Sequence, residues 1–161
     1  MMLAELEPMV AKLNESRATL MRLLDQLAEI QSAQVMVNPE WSVKDIVGHL
    51  TGAERGMTRM AQQFATGSNP QLPAGYNNDV YNARQVEKRK SLTYAQARAE
   101  LEASRVDLLA FMDSVSAPQL DYRGEHPIRG DISLRELLDV IAWHEGLHSK
   151  EISDKLLEVR K

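Results

Sequence analysis

The sequence predicts an all-α fold, a four-helix bundle with a long crossover between its second and third helices. Three observations carry this. Apolar residues recur at steps of three and four in four separate stretches, the spacing that holds side chains on one face of a 3.6-residue helix. Three of those stretches are preceded by a hydroxyl residue with an acid or amide three positions on: Ser42-Val-Lys-Asp45, Thr93-Tyr-Ala-Gln96 and Ser133-Leu-Arg-Glu136. In such a box the hydroxyl accepts from the third helical amide, and the third side chain reaches back to the cap's own amide. Structure breakers are also scarce, with 8 Gly and 6 Pro in 161 residues. Aromatic residues are only 5%, so the core must come from Leu, Ile, Val, Ala and Met, a mixture better suited to helices than to a sandwich.

The first helix is expected over about 3–30, where Leu6, Val10, Leu13, Leu20, Leu24 and Leu27 form a stripe with Arg17 in the remaining place. The second, about 42–66, carries Ile46, Leu50, Ala53, Met57, Met60 and Phe64. Between 67 and 92 lies the crossover, with Gly67-Ser-Asn-Pro70, Pro73-Ala-Gly75 and Tyr76-Asn-Asn-Asp79, and with Val80–Lys90 as a candidate short helix. A connection of this length in a compact domain is usually an ordered functional segment or a disordered one, and its tyrosines and asparagines favour order. The third helix, about 93–115, follows from Tyr94, Ala97, Leu101, Leu108, Phe111 and Val115, with Ser104 and Met112 beside the stripe. A loop carrying Arg123, Glu125, His126 and Arg129 then leads to a fourth helix over about 132–157, begun by Leu134, Leu137 and Ile141. A mass of 18.1 kDa fits a single domain over 1–161.

A net charge of −4 gives no whole-chain reason to expect nucleic acid as a partner. The absence of cysteine excludes a disulfide framework, a thiolate metal site and a cysteine nucleophile. Any thiol chemistry must use a thiol brought by another molecule. The longest apolar run, Leu108–Met112, is five residues, too short for a membrane span. The N-terminus MMLAELEPMV is acidic from Glu5 and lacks a secretion pattern, so a cytoplasmic location is expected.

The chemistry points to histidine. His144 and His148 are spaced i, i+4, so both rings leave one face of the fourth helix about a turn apart. Continuing the stripe Leu134, Leu137, Ile141 reaches those same two positions, where core residues should stand. His49, three after Ile46 and four before Ala53, lies on the inward side of the second helix. Inward imidazoles without partners have unmet hydrogen bonds, whereas three of them converging on a divalent ion satisfy their lone pairs through it. The competing reading makes each one an ordinary core histidine. His126, between Glu125 and Pro127, is expected to be solvated. Tyr76, Asn77, Asp79, Asn82 and Arg84 of the crossover are candidates for orienting a small ligand, against the plainer reading as turn and surface residues. Glu54 and Glu145 are candidates for supporting the histidines, against the plainer expectation that both lie on solvated flanks.

Ser42-Val-Lys-Asp-Ile-Val-Gly-His49-Leu, the long crossover, and Trp143-His144-Glu-Gly-Leu-His148 together resemble the DinB-like superfamily, which includes the N-terminal domain of mycothiol-dependent maleylpyruvate isomerase. The resemblance spans nearly the whole chain. It implies a four-helix bundle binding a divalent metal, zinc or nickel, through His49, His144 and His148, with open positions for water or substrate. It also implies metal-dependent chemistry on a small electrophile or thiol conjugate, as in S-transferases that use a low-molecular-weight thiol or in hydrolases. Many such proteins form homodimers, and apolar surface on the first helix would favour one here. The alternative function is a non-catalytic metal-binding or sequestering stress protein. A remote one arises because His144-Glu145-Gly-Leu-His148 is formally the H-E-x-x-H of zinc proteases, with the Glu as base. That reading lacks a third ligand downstream, because Glu151 and Asp154 stand where a metzincin-like continuation wants Gly and a ligand.

Overall fold

Six helices follow one another in the computed structural model, which describes residues 1–161: α1 (Glu7–Leu24), α2 (Glu29–Gln34), α3 (Val43–Ala65), α4 (Asn78–Glu87), α5 (Tyr94–Ser114) and α6 (Leu134–Val159). Strands β1 (Arg123–His126) and β2 (Gly130–Ser133) lie between α5 and α6. Helices α3, α5 and α6 begin at the three hydroxyl-led boxes. Ser42 Oγ accepts from the Asp45 amide, and Asp45 accepts from the Ser42 amide at 3.0 Å. Thr93 with Gln96 and Ser133 with Glu136 repeat the exchange. Each box satisfies two amides that the first turn leaves without partners.

The long helices α1, α3, α5 and α6 form the four-helix bundle. Contacts between α1 and α6 advance together along both chains, from Glu5–Arg135 through Lys12–Asp139 to Gln26–Arg160, so these two run parallel. Leu24 meets Tyr94 and Leu13 meets Arg105, so α5 runs antiparallel to α1. Helix α3 runs parallel to α5, since Arg55 meets Glu100 and Glu54 meets Ser104, while Ala65 at the far end of α3 meets Gln119 beyond the end of α5. A parallel α3–α5 pair forces the chain back along the bundle, which is why the crossover is long.

The core is divided. Leu6, Leu13, Phe64, Leu108, Met112, Leu134, Leu137 and Ile141 belong to one apolar cluster. Leu20, Leu24, Ile46, Leu50, Tyr94, Leu101, Ile152 and Leu156 belong to another. Between them in every long helix stands a buried polar residue: Arg17 in α1, Glu54 in α3, Ser104 and Arg105 in α5, and Glu145 in α6. Leu6, Leu13, Leu20 and Leu24 of the first stripe are fully buried inside the chain, while Val10 and Leu27 are half-buried.

The structure departs from the sequence expectation at three elements, the first being the separate short helix α2 over Glu29–Gln34. The first helix stops at Leu24, although Leu27 continues its periodicity, because Tyr94 takes over its end. The Tyr94 phenol donates to the Leu24 carbonyl at 3.0 Å, its amide donates to Glu29 at 2.7 Å, and Arg98 pairs with Asp25 at 2.5 Å. The loop before α6 is an antiparallel hairpin, with Arg123 opposite Ser133 and His126 opposite Gly130. Gly130 turns it at φ +71°, a conformation costly to other residues. His126 is half-buried rather than solvated: its Nδ1 accepts from the Ile128 and Arg129 amides, both at 3.1 Å, and caps the turn.

Candidate metal site

His49 from α3 and His144 and His148 from α6 bring their Nε2 atoms into one triangle. The edges are 3.1 Å for His49–His144, 3.2 Å for His49–His148 and 3.2 Å for His144–His148. The rings stand edge to face, with interplanar angles of 74°, 81° and 88°. Nitrogens held about 2.0–2.1 Å from one ion lie about 2.9 Å apart at right angles and about 3.3 Å apart at tetrahedral angles. The observed edges fall between those limits. Without an ion, the triangle is frustrated. A neutral imidazole nitrogen is a donor or an acceptor, never both, so at least one of three edges must pair like with like. The His49 Nδ1, on the far side of the ring, is buried with no partner. A divalent cation that accepts all three lone pairs relieves the conflict, and the residues fit that group.

Local structure sets each ring. The Asn38 side chain accepts from the Glu40 and Trp41 amides, both at 2.9 Å, and this turn lays the Trp41 indole on His49 with centroids 4.9 Å apart. The i, i+4 spacing on α6 stacks His144 above His148 as predicted. The His148 Nδ1 lies 2.7 Å from Glu151 Oε2, one turn further on. Burial first, then the neighbouring His144 and His148 rings, push His49 down to about 3. Burial, then His148, push His144 down to about 4. At neutral pH both rings are therefore uncharged, the state that binds metal.

Glu54 and Glu145 are not on solvated flanks. They are 5% and 3% exposed and are held by two equally buried arginines. Arg17 reaches Glu145 at 2.7 Å and Glu54 at 3.2 Å, and Arg105 reaches Glu54 at 2.8 Å and Glu145 at 3.2 Å. Ser104 adds a hydrogen bond to Glu54 at 2.6 Å, the Leu101 and Leu13 carbonyls accept from Arg17 and Arg105, and Glu102 accepts from Arg17 at 3.3 Å. Burial works against the Arg17 charge, but Glu145 and then Glu54 outweigh it and raise its pKa. This arrangement removes the protease reading of His144-Glu145-Gly-Leu-His148. Its required base is locked between two guanidinium groups in the core. The third histidine of the cluster comes from α3, not from downstream.

The crossover candidates lie on α4 and the segment leading into it. Asn77 caps α4 by accepting from the Val80 amide at 3.0 Å, and Asp79 and Arg84 are exposed on that helix. Tyr76 and Asn82 are half-buried, and the Tyr76 hydroxyl bonds to Asn78 at 3.2 Å. Sequence reading missed what seats this helix, a run of Gly48, Gly52 and Gly56 along α3. A Cβ on Gly52 would stand 2.4 Å from Gln85 Cβ, and one on Gly56 would stand 2.7 Å from the Tyr81 hydroxyl. The Tyr81 hydroxyl donates to the Gly52 carbonyl at 3.1 Å. The four-residue glycine spacing was the available signal. It packs α4 against the helix that carries His49.

Residues 12–152 match the DinB superfamily. The chain belongs to it. Among solved structures, this DinB-superfamily chain is similar to the mycothiol-dependent maleylpyruvate isomerase, with a TM-score of 0.79 at 12% identity over 91% of the chain. It spans 60% of the isomerase's length. It is also similar to YfiT from Bacillus subtilis, described as a probable metal-dependent hydrolase with an unusual four-helix bundle topology, with a TM-score of 0.78 at 17% identity over 99% of this chain and 90% of that one. The colibactin self-resistance protein ClbS, solved with a double-stranded DNA, has a TM-score of 0.75 at 15% identity over 92% of this chain and 93% of that one. In sequence the chain is 23% identical to the uncharacterized Bacillus subtilis protein YuaE, over 89% of this chain and 96% of that one. These likenesses establish the fold. No helix is long and apolar enough to cross a membrane.

Proposed function

We propose that the chain is a divalent-metal-dependent enzyme acting on a small electrophile or thiol conjugate, by thiol transfer or by hydrolysis. The observation that carries this is the triangle of three Nε2 atoms 3.1–3.2 Å apart on two helices. His49, His144 and His148 would hold the ion, with zinc or nickel the fitting choices for three imidazoles. Three protein ligands leave a position free, the pattern of catalytic rather than structural sites. When bound, the ion supplies Lewis acidity, which favours the deprotonated form of a water or thiol presented to it.

The chain's own residues limit the chemistry further. With no cysteine, the thiol must arrive as a low-molecular-weight cosubstrate. Trp41 covers one side of the His49 ring. Glu145 is engaged in the core, so proton transfer falls to the substrate, the solvent or a side chain of the crossover. Tyr76, Asn77, Asp79, Asn82 and Arg84 remain the candidates for orienting the ligand. The similar isomerase and probable hydrolase support small-molecule chemistry at such a site. The −4 net charge does not favour a nucleic-acid partner.

The test is consumption of monochlorobimane by metal-loaded protein with a panel of low-molecular-weight thiols, and hydrolysis of small esters and amides in parallel. Metal- and thiol-dependent turnover that is lost in His144→Ala supports transfer. Saturable binding with no turnover of either class supports a metal-binding sequestration protein instead.

A further inference from the structure

The three histidines differ in what holds the nitrogen that faces away from the triangle. His49 Nδ1 is buried with no partner, and its ring is held by packing against Trp41. His148 Nδ1 meets a carboxylate, Glu151 Oε2, at 2.7 Å. That pairing is selective. Lys155 stands four residues after Glu151, the favoured orientation for a helical Glu–Lys pair, yet Lys155 pairs with Glu158 at 2.7 Å. The preceding Lys150 pairs with Asp154 at 2.5 Å. Lys155, the cation on this face, goes to another acid, and Glu151 turns to the imidazole.

We propose that Glu151 is the positioning residue of the metal site: it holds the proton on His148 Nδ1 and thereby aims the Nε2 lone pair at the ion. The inference rests on the metal reading of the triad. A carboxylate can only accept at this contact, so the proton must sit on Nδ1 and the lone pair on Nε2. The same contact fixes the rotation of the ring and makes Nε2 a stronger donor, as carboxylate–histidine–metal arrangements do. It also places one negative charge beside a ligand set that is otherwise neutral. The ion is then bound more tightly, and its charge is partly offset on the α6 side. Glu151 touches neither the ion nor a substrate; it acts through His148.

Two measurements on purified full-length protein test this. The first is the tautomer of His148 in metal-free protein, read from long-range ¹H–¹⁵N correlations. Wild type should show the proton on Nδ1, and Glu151→Ala should shift the ring towards the Nε2–H form. The second is zinc affinity by chelator competition, with cobalt absorption as a probe of the ligand set. Glu151→Ala should bind zinc about 10–100-fold more weakly. Glu151→Gln, which keeps an acceptor without the charge, should fall between, with the cobalt spectrum of wild type. Wild-type binding with an unchanged Glu151→Ala affinity and tautomer overturns the proposal alone. A cobalt spectrum altered as much by Glu151→Gln as by His148→Ala makes Glu151 a ligand and also overturns it. A wild-type chain that takes up no zinc overturns the metal reading and this proposal together.

Discussion

His49 shows at the level of one residue why the proposed ion fits the cluster. It is 3% exposed, its Nε2 faces two other imidazole nitrogens, and its Nδ1 has no partner. In an unfolded chain such a ring takes up a proton near pH 6.5. Folded, His49 resists protonation down to about 3 and His144 down to about 4. Between these limits the unfolded state binds more protons. Stability of the metal-free protein is therefore full above about pH 6.5 and declines as pH falls. At pH 5 the loss amounts to at most about 2 kcal/mol for each ring. Urea unfolding in chelator at pH 7 and pH 5 checks this: wild type should lose more stability than His49→Leu. A wild-type midpoint that is flat over this range, or a variant that falls equally, contradicts the account. Sequence spacing alone placed all three rings, because a stripe of period 3.6 states which face a residue occupies. It could not show that Glu151 binds His148, because that contact depends on which of several nearby partners each acid takes.

At the level of the element, α4 against α3 is the informative pair. Gly52 lies 2.4 Å, measured from a built Cβ, from Gln85, whereas Gly146 in α6 faces open space. Alanine in an exposed helix interior normally gains roughly 0.5–1 kcal/mol over glycine. Gly146→Ala should show that gain. Gly52→Ala should lose about 1–3 kcal/mol through overpacking, because the obstructing atom is a Cβ close to its backbone. Thermal melts of the two variants give opposite signs if α4 is seated as described, and equal small gains if it is not. The capping boxes were legible as sequence because their partners lie three residues apart. The end of α1 at Leu24 was not, because Tyr94 and Arg98, 70 and more residues away, decide it. The β1–β2 hairpin was also hidden. Ile132 is the one large apolar residue in its strands, and its turn is held by Gly130 and His126 rather than by apolar alternation.

Across the whole molecule, the layer of Arg17, Glu54, Ser104, Arg105 and Glu145 ties all four long helices together at one level between two apolar clusters. Glu54 shares α3 with His49, and Glu145 directly follows His144, so the layer sets the α3–α6 registration on which the triangle depends. Removing one partner leaves a buried charge uncompensated. Arg105→Met should therefore cost about 3–5 kcal/mol, while replacing both arginines and both glutamates by Met or Leu together should recover most of that loss. Urea unfolding of the two variants decides it, and additive losses in the multiple variant would contradict the reading. Only Arg17 hinted at this layer in the sequence, as a charged residue in an apolar stripe. The remaining members sit beside their stripes, and their partners lie 37 to 128 residues apart. A ligand that binds only the folded bundle adds to its stability, by about 2.7 kcal/mol at a hundredfold excess over its Kd. Zinc should accordingly raise the melting temperature of wild type and not that of His144→Ala.

The central claim is that His49, His144 and His148 form one metal site, and metal content tests it most directly. Untagged protein is stripped with chelator, reconstituted with zinc or nickel, desalted and measured by plasma mass spectrometry, alongside His144→Ala and His126→Ala. About one ion per chain is expected in wild type and in His126→Ala, whose native ring caps the β1–β2 turn, and none in His144→Ala. Equal metal in all three proteins, or none in wild type after reconstitution, would contradict it.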